Sequence, residues 1–179
     1  MLAFPAAAGA ADLVESSHRQ IRRIDGALRS FLALASAGAA AAERVDLAML
    51  ARETDPLTWP AVDAVSLHEL EGGWSVALYP TDPERRFALD SHTGYLLFRN
   101  RVPIAYGGGW PFLGVCRTGI NVFPAFRGGE STLAFAQVLR VYRHWYGCAR
   151  FVVEPYQFGA GNAEGLRSGA FWFYWRLGF

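Results

Sequence analysis

The sequence predicts an α/β chain, more narrowly an α+β fold on a mixed sheet. Three observations carry that prediction. Apolar residues alternate along 64–80, and short apolar runs bounded by turn residues follow between 94 and 123, the signals of strands. Between 131 and 146 they recur at helical spacing. A further strand and helix follow, and a strand-helix-strand crossover makes the strand pair it joins parallel.

With 179 residues, 52% of them hydrophobic and 18% charged, the chain is long enough for a sizeable core. A formal net charge of +1 argues against a nucleic-acid binder. The sequence holds 17 basic residues, all arginine, which excludes a Schiff-base or P-loop lysine. Cys116 and Cys148 belong to no C-x-x-C pair and read as free buried thiols of a reducing compartment. No signal peptide or membrane-spanning run is expected, so the expected location is the cytoplasm.

Taken in order, Leu13, Ile21, Ile24, Leu28, Phe31 and Leu32 predict an amphipathic helix, and "VDLAMLARE" a shorter one ended by Pro56. Residues 1–60 therefore read as a helical segment packing on the sheet, and 61–179 as the mixed-sheet domain. "AVSLHEL" and "WSVALYP", separated by Glu71, Gly72 and Gly73, predict a hairpin. "TDPERRFALDSH" reads as a short helix with Asp82 as its cap. "GYLLF" and "VPIAYGG", joined through Arg99, Asn100 and Arg101, form a second hairpin. The glycine-rich "AYGGGWPFLG" suggests a loop beside a cleft, and "GVCRTGINVF" is again a strand. Leu133, Ala136, Leu139, Tyr142 and Tyr146 line one face of the next helix, "ARFVVEPYQF" is a strand, and "NAEGLRSGAFWFYWRLGF" is a helix with Asn162 at its N-cap.

The run "VFPAFRGGEST", followed by "FVVEPYQ", Asn162 and the ending "FYWRLGF", resembles the GNAT superfamily of N-acetyltransferases over roughly residues 94–179. In that family a strand turns through R/Q-x-x-G-x-G/A into a helix whose first amides meet a pyrophosphate. Helix-terminal amides and the helix dipole favour an anion, and glycine lets the backbone approach it. The resemblance implies a GNAT-like acyltransferase fold and further strands after the Gly-Phe pair, whereas this sequence ends at Phe179. A homodimer or a larger polypeptide is then expected to cover the C-terminal aromatic surface.

The resemblance also implies an acyl thioester donor, acetyl-CoA or another acyl-CoA, and a small-molecule or protein amine acceptor. Its donor site would comprise Phe123, Arg127, Gly128, Gly129, Glu130, Ser131, Thr132 and Asn162, and Tyr174 would protonate the leaving thiolate. Glu154 stands among Val152, Val153 and Tyr156, where desolvation suits a general base; pairing with Arg127 or Arg167 is the alternative. Glu130 departs from the turn pattern at its fourth-position glycine. Beside a pyrophosphate it must point away, pair with an arginine, or fill the anion site itself. In the last case the chain is a noncatalytic binding or scaffold module with a closed donor site. His18, His68, His92 and His144 lack metal-ligand spacing, so no metal, nucleic acid or membrane is expected as a partner.

Overall fold

A computed structural model describes residue 56 and residues 59–86 and 88–179. The two helices expected within 1–60 lie almost wholly outside the described residues. The architecture is α+β: a mixed, open sheet of seven strands with a long helix on one face.

The first hairpin forms as expected, with β1 (Ser66–Leu70) antiparallel to β2 (Trp74–Pro80). Gly72 and Gly73 turn it at φ 73° and 77°, conformations that a side chain disfavours. The helix expected at 81–92 is replaced, among the described residues, by turns. Asp82 Oδ1 accepts the Glu84 N–H at 3.0 Å, an Asx turn rather than a cap. The Thr81 amide and hydroxyl both bond the His92 carbonyl, which fastens the two ends of this loop together.

β3 (Thr93–Arg99) and β4 (Val102–Phe112) form the second hairpin. Its turn carries φ 50° at Asn100 and 67° at Arg101, the paired left-handed residues of a tight hairpin turn. The run Gly107 to Gly109 is not a loop but the middle of β4. A Cβ at Gly107 would strike the Tyr95 hydroxyl and the Gly119 carbonyl, one at Gly108 the His92 ring, and one at Gly109 the Tyr142 ring and Cys116. These glycines make room for aromatic rings on the strand.

On its other side β4 meets two short segments, β5 (Val115–Thr118) and β6 (Asn121–Val122), in place of one continuous strand. After them come a 3-10 turn at Pro124–Phe126 and the helix α1 (Ser131–Tyr146), closed by Gly147 at φ 66°. β7 (Arg150–Val152) then pairs parallel with β5, the crossover pairing expected. Three short helices end the chain, α2 (Pro155–Phe158), α3 (Ala163–Ser168) and α4 (Ala170–Trp175). The single C-terminal helix read from the sequence is thus interrupted at Gly169, whose φ of 90° lies outside helical space.

α1 packs through Ala134, Phe135, Val138, Val141 and Tyr142. The face read from the sequence was rotated from this one: Leu133 is 46% exposed and Tyr146 sits at its margin. Opposite it the sheet presents Val76, Leu78, Tyr95, Leu97 and Cys116, while its far face buries Ala77, Tyr79, Leu96, Phe98, Tyr106 and Phe123. Strands buried on both faces read as continuous apolar runs, as β2 and β3 do. Phe173, Tyr174 and Phe179 ring Phe135 at centroid distances of 6.0, 6.0 and 6.2 Å, so part of the C-terminal aromatic segment covers itself, whereas Trp172 and Trp175 stay exposed.

Phe135 is fully buried at the junction of α1, the sheet and the C-terminal helices. Phe135→Ala is expected to lower the unfolding free energy by about 3–5 kcal/mol in urea titrations. A change below about 1 kcal/mol would contradict this packing.

Candidate functional site

The pairing on the β5/β6 side of β4 changes at Gly119 and Ile120. β5 lies between β4 and β7, whereas β6 pairs with β4 alone. β7 ends at Val152, and Pro155, without an N–H, turns the chain into α2 two residues past Val153. The other edge of β6 is therefore left without a strand partner. Three polar side chains meet at the strand change: Tyr95 Oη donates to the Gly119 carbonyl at 2.6 Å, Tyr174 Oη donates to Gln157 Oε1 at 3.4 Å, and the Gln157 amide lies against Gly119.

Tyr174 is buried among Phe135, Phe158 and Phe179. Burial pushes its phenol up to about 12, against a smaller opposing effect from the Ile120 backbone. Burial likewise holds Tyr95 well above its ordinary range, with Tyr174, Tyr79 and Cys116 adding to it. Both hydroxyls remain hydrogen-bond donors at any physiological pH.

The turn from Arg127 to Thr132 is set by two left-handed glycines, Gly128 at φ 101° and Gly129 at φ 42°, with open space where each Cβ would stand. Ser131 closes the turn on itself. Its N–H bonds the Gly128 carbonyl at 2.9 Å, and its Oγ both donates to that carbonyl at 2.7 Å and accepts the Gly128 N–H at 3.1 Å. Of the amides expected to be free, that of Ser131 is thus engaged, while those of Gly129 and Glu130 have no protein partner among the described residues. Thr132 follows in the first turn of α1.

Glu130 occupies the N-cap position but makes no capping bond. Its carboxylate turns to Arg99 instead, Nε to Oε2 at 3.6 Å, so of the three options read from the sequence the structure takes the arginine pair. Both side chains are partly exposed, 31% and 62%, and such a pair contributes less than about 1 kcal/mol. The Arg99 guanidinium also stacks on Trp74, 4.6 Å from the ring centroid, a contact worth about 0.5–2 kcal/mol. Arg127 donates Nε–H to the Val122 carbonyl at 3.2 Å. Arg99, Trp74, Arg127, Glu130 and the two glycines line one cleft of about 480 Å³.

Phe123 does not line that cleft. Its N–H bonds the Ile104 carbonyl at 3.0 Å and its ring is buried against Tyr106, so its amide is engaged in the fold. Glu154 is half exposed and not enclosed by apolar neighbours; it pairs with Arg117, Nη1 to Oε1 at 2.8 Å, and with neither Arg127 nor Arg167. Arg117 alternates with core-facing Cys116 and stacks on Trp110, so it and Glu154 stand on the sheet face away from α1, opposite Tyr174. Asn162 caps α3, its Oδ1 accepting the Gly165 N–H at 2.8 Å, and its Nδ2 donates to the Tyr156 carbonyl.

Arg99, Tyr95, Gln157 and Arg117 were not singled out from the sequence. Arg99 was read only as part of a hairpin, and no local signal places any of the four beside partners 17 or more residues away. Among the described residues no group of three or more His, Cys, Asp or Glu side chains is placed to hold a metal ion, and no helix is long and apolar enough to cross a membrane. Comparison with models of protein families, with curated proteins and with solved structures found no match.

Cys116 and Cys148 are buried and free, and burial raises Cys116 to about 12, with Cys148 adding to it. The unfolded chain ionises thiols near about 8.5 and phenols near about 10, so it releases these protons first. The stability from burying them neutral is complete below those values and is lost as pH rises toward about 12. Urea midpoints should fall steadily from pH 8.5 to 11.5, with Tyr174 contributing about 2 kcal/mol by pH 11.5 and Tyr174→Phe giving a shallower fall. A midpoint unchanged to pH 11.5 would contradict the burial.

Proposed function

We propose that the chain is a GNAT-like N-acyltransferase that moves an acyl group, acetyl in the simplest case, from a CoA thioester to an amine. The observation that carries the reading is the unpaired edge of β6, with the Tyr174 hydroxyl at the strand change. The cleft at the Gly128–Gly129 turn supports it, because two arginines and open glycine backbone suit a phosphate-bearing donor.

In this reading the amine nitrogen attacks the thioester carbonyl, a C–N bond forms, the C–S bond breaks and the thiolate departs. Water takes the amine proton, since Glu154 is paired with Arg117 on the opposite face of the sheet. Tyr174 faces the sulfur. With its phenol near 12 and a thiol near about 8.5, complete proton transfer to the thiolate is uphill by about 5 kcal/mol. Tyr174 therefore acts as a hydrogen-bond donor to the developing thiolate, which solvent then protonates. The side chains of Asn162 and Ser131 make structural bonds, one at the start of α3 and the other within the glycine turn.

A second reading has an observation of its own. The Gln157 and Tyr174 side chains pack against the strand change, as in a binding module of the same fold that does no chemistry. Isothermal titration with acetyl-CoA and CoA separates the two. Micromolar binding by the unmodified chain is expected, with tighter binding by Glu130→Gly, and Tyr174→Phe should lower kcat for acyl transfer at least about tenfold with little change in donor affinity. No heat with either chain would overturn the transferase reading; donor binding without thiol release against a panel of amines would favour the binding module.

A further inference from the structure

The turn between β4 and β5 places a leucine where the backbone favours asparagine or glycine. Phe112 ends β4 and Val115 begins β5, and between them Leu113 and Gly114 stand at φ 47° and 78°, the paired left-handed residues of a tight hairpin turn. The hairpin of β3 and β4 has Asn100 at its first turn position, a residue that enters left-handed space readily. Leu113 is strained there and gains no burial in return, since 87% of it is exposed. Phe112 and Trp145, the latter in the last turn of α1, are each more than half exposed, and all three line one groove of about 470 Å³. Leu89, mostly exposed as well, lies on the loop between Arg86 and Ser91, which line the same groove.

Charge on the segments that form this end is mainly positive. Arg85 and Arg86 stand on the loop, Arg143 and His144 precede Trp145 on α1, and the Arg150 N–H bonds the Gly114 carbonyl at 3.1 Å, which brings β7 to the base of the turn; all five side chains are exposed. Of the acids on the same segments, Asp82 is buried and Asp90 accepts the His92 N–H, which leaves Glu84 exposed. The chain as a whole carries a formal charge of only +1.

We propose that this end of the sheet docks on an anionic lipid surface, with Leu113, Phe112 and Leu89 entering the interface and the arginines meeting the headgroup phosphates. Apolar side chains on a protruding turn suit a deformable apolar layer, and Trp145 suits the headgroup level. A second copy of the chain would instead bring the arginines face to face. Docking of this kind needs no spanning helix, and a few side chains gathered from separate segments leave no mark on composition, so composition alone predicts no membrane partner. The 16 residues of α1, about 24 Å, separate this end from the glycine turn, and the inference stands apart from the transferase reading.

The test is co-sedimentation of the full chain with vesicles of phosphatidylcholine alone and of phosphatidylcholine and phosphatidylserine in equal parts, at low and high salt. The unmodified chain should bind the mixed vesicles about tenfold or more tightly than the neutral ones, and salt should weaken that binding. Asparagine suits the left-handed turn, so Leu113→Asn should keep or raise the urea midpoint while weakening binding to the mixed vesicles about tenfold or more. Arg86→Gln combined with Arg150→Gln should weaken it about fivefold or more and reduce the salt dependence. No sedimentation of the unmodified chain with the mixed vesicles, or equal sedimentation of Leu113→Asn, would overturn the proposal. A dimer in analytical ultracentrifugation that Leu113→Asn dissociates would overturn it too, since a second copy would then cover the turn.

Discussion

The hydrogen bond from Tyr95 to the Gly119 carbonyl, 2.6 Å long and fully inside the protein at its phenol end, fixes the point at which the sheet divides. Its geometry requires Gly107, since a side chain there would meet both the hydroxyl and the carbonyl. With Gly119 held this way, β5 stays between β4 and β7 while β6 follows β4 alone. The unpaired edge of β6, the approach of Gln157 and the placement of the Tyr174 hydroxyl all follow from that division. A regular strand through 115–122 would carry ladder bonds across the same place and leave no side of β6 open.

Except at the buried Asp82, burial and charge are kept apart in this fold. On the α1 side the sheet is closed by Phe135, Val138 and Tyr142, with Tyr142 bonded to the Thr93 carbonyl at 2.6 Å, and the ionisable groups there are phenols and thiols that burial keeps neutral. The permanent charges lie at the margins. Arg99 and Glu130 meet where the second hairpin reaches the start of α1, and Arg117 and Glu154 meet on the far face beside Trp110. Neither pair is deep enough to stabilise the fold by much. The two arginines use the same device, a tryptophan under the guanidinium, that holds a cation in place without consuming its hydrogen-bond donors.

Legibility differed between backbone and side chains. Both hairpins, the crossover pair and the Asn162 cap were readable, because alternation, turn residues and a capping side chain act over a few neighbouring positions. The helix expected after Asp82 failed because Asp82 and Glu84 close a local turn and Thr81 binds His92 across the loop, a contact that no helix propensity registers. The glycines 107–109 suggested a loop because their function is to accept rings from His92, Tyr95 and Tyr142, none of which is a sequence neighbour. The α1 face was misplaced by part of a turn, since Leu133 and Leu139 give as good a helical stripe as Phe135 and Val138 until the sheet is there to choose.

The sequence by itself determined the two hairpins, the parallel crossover pair, the glycine turn before α1 and the chemical types at the site: a tyrosine in an aromatic segment, a glutamate before a proline, an acid after two glycines. The tertiary structure decided what each of these meets. Glu130 could turn to its own helix amides or to an arginine, and only the return of the second hairpin brings Arg99 within reach. Glu154 was assigned an apolar setting from its neighbours in sequence, yet strand alternation turns it to the exposed face and β5 supplies Arg117. The physical reason is range: propensity and capping are settled within a few residues, whereas ion pairs and burial depend on which distant strands the register sets side by side.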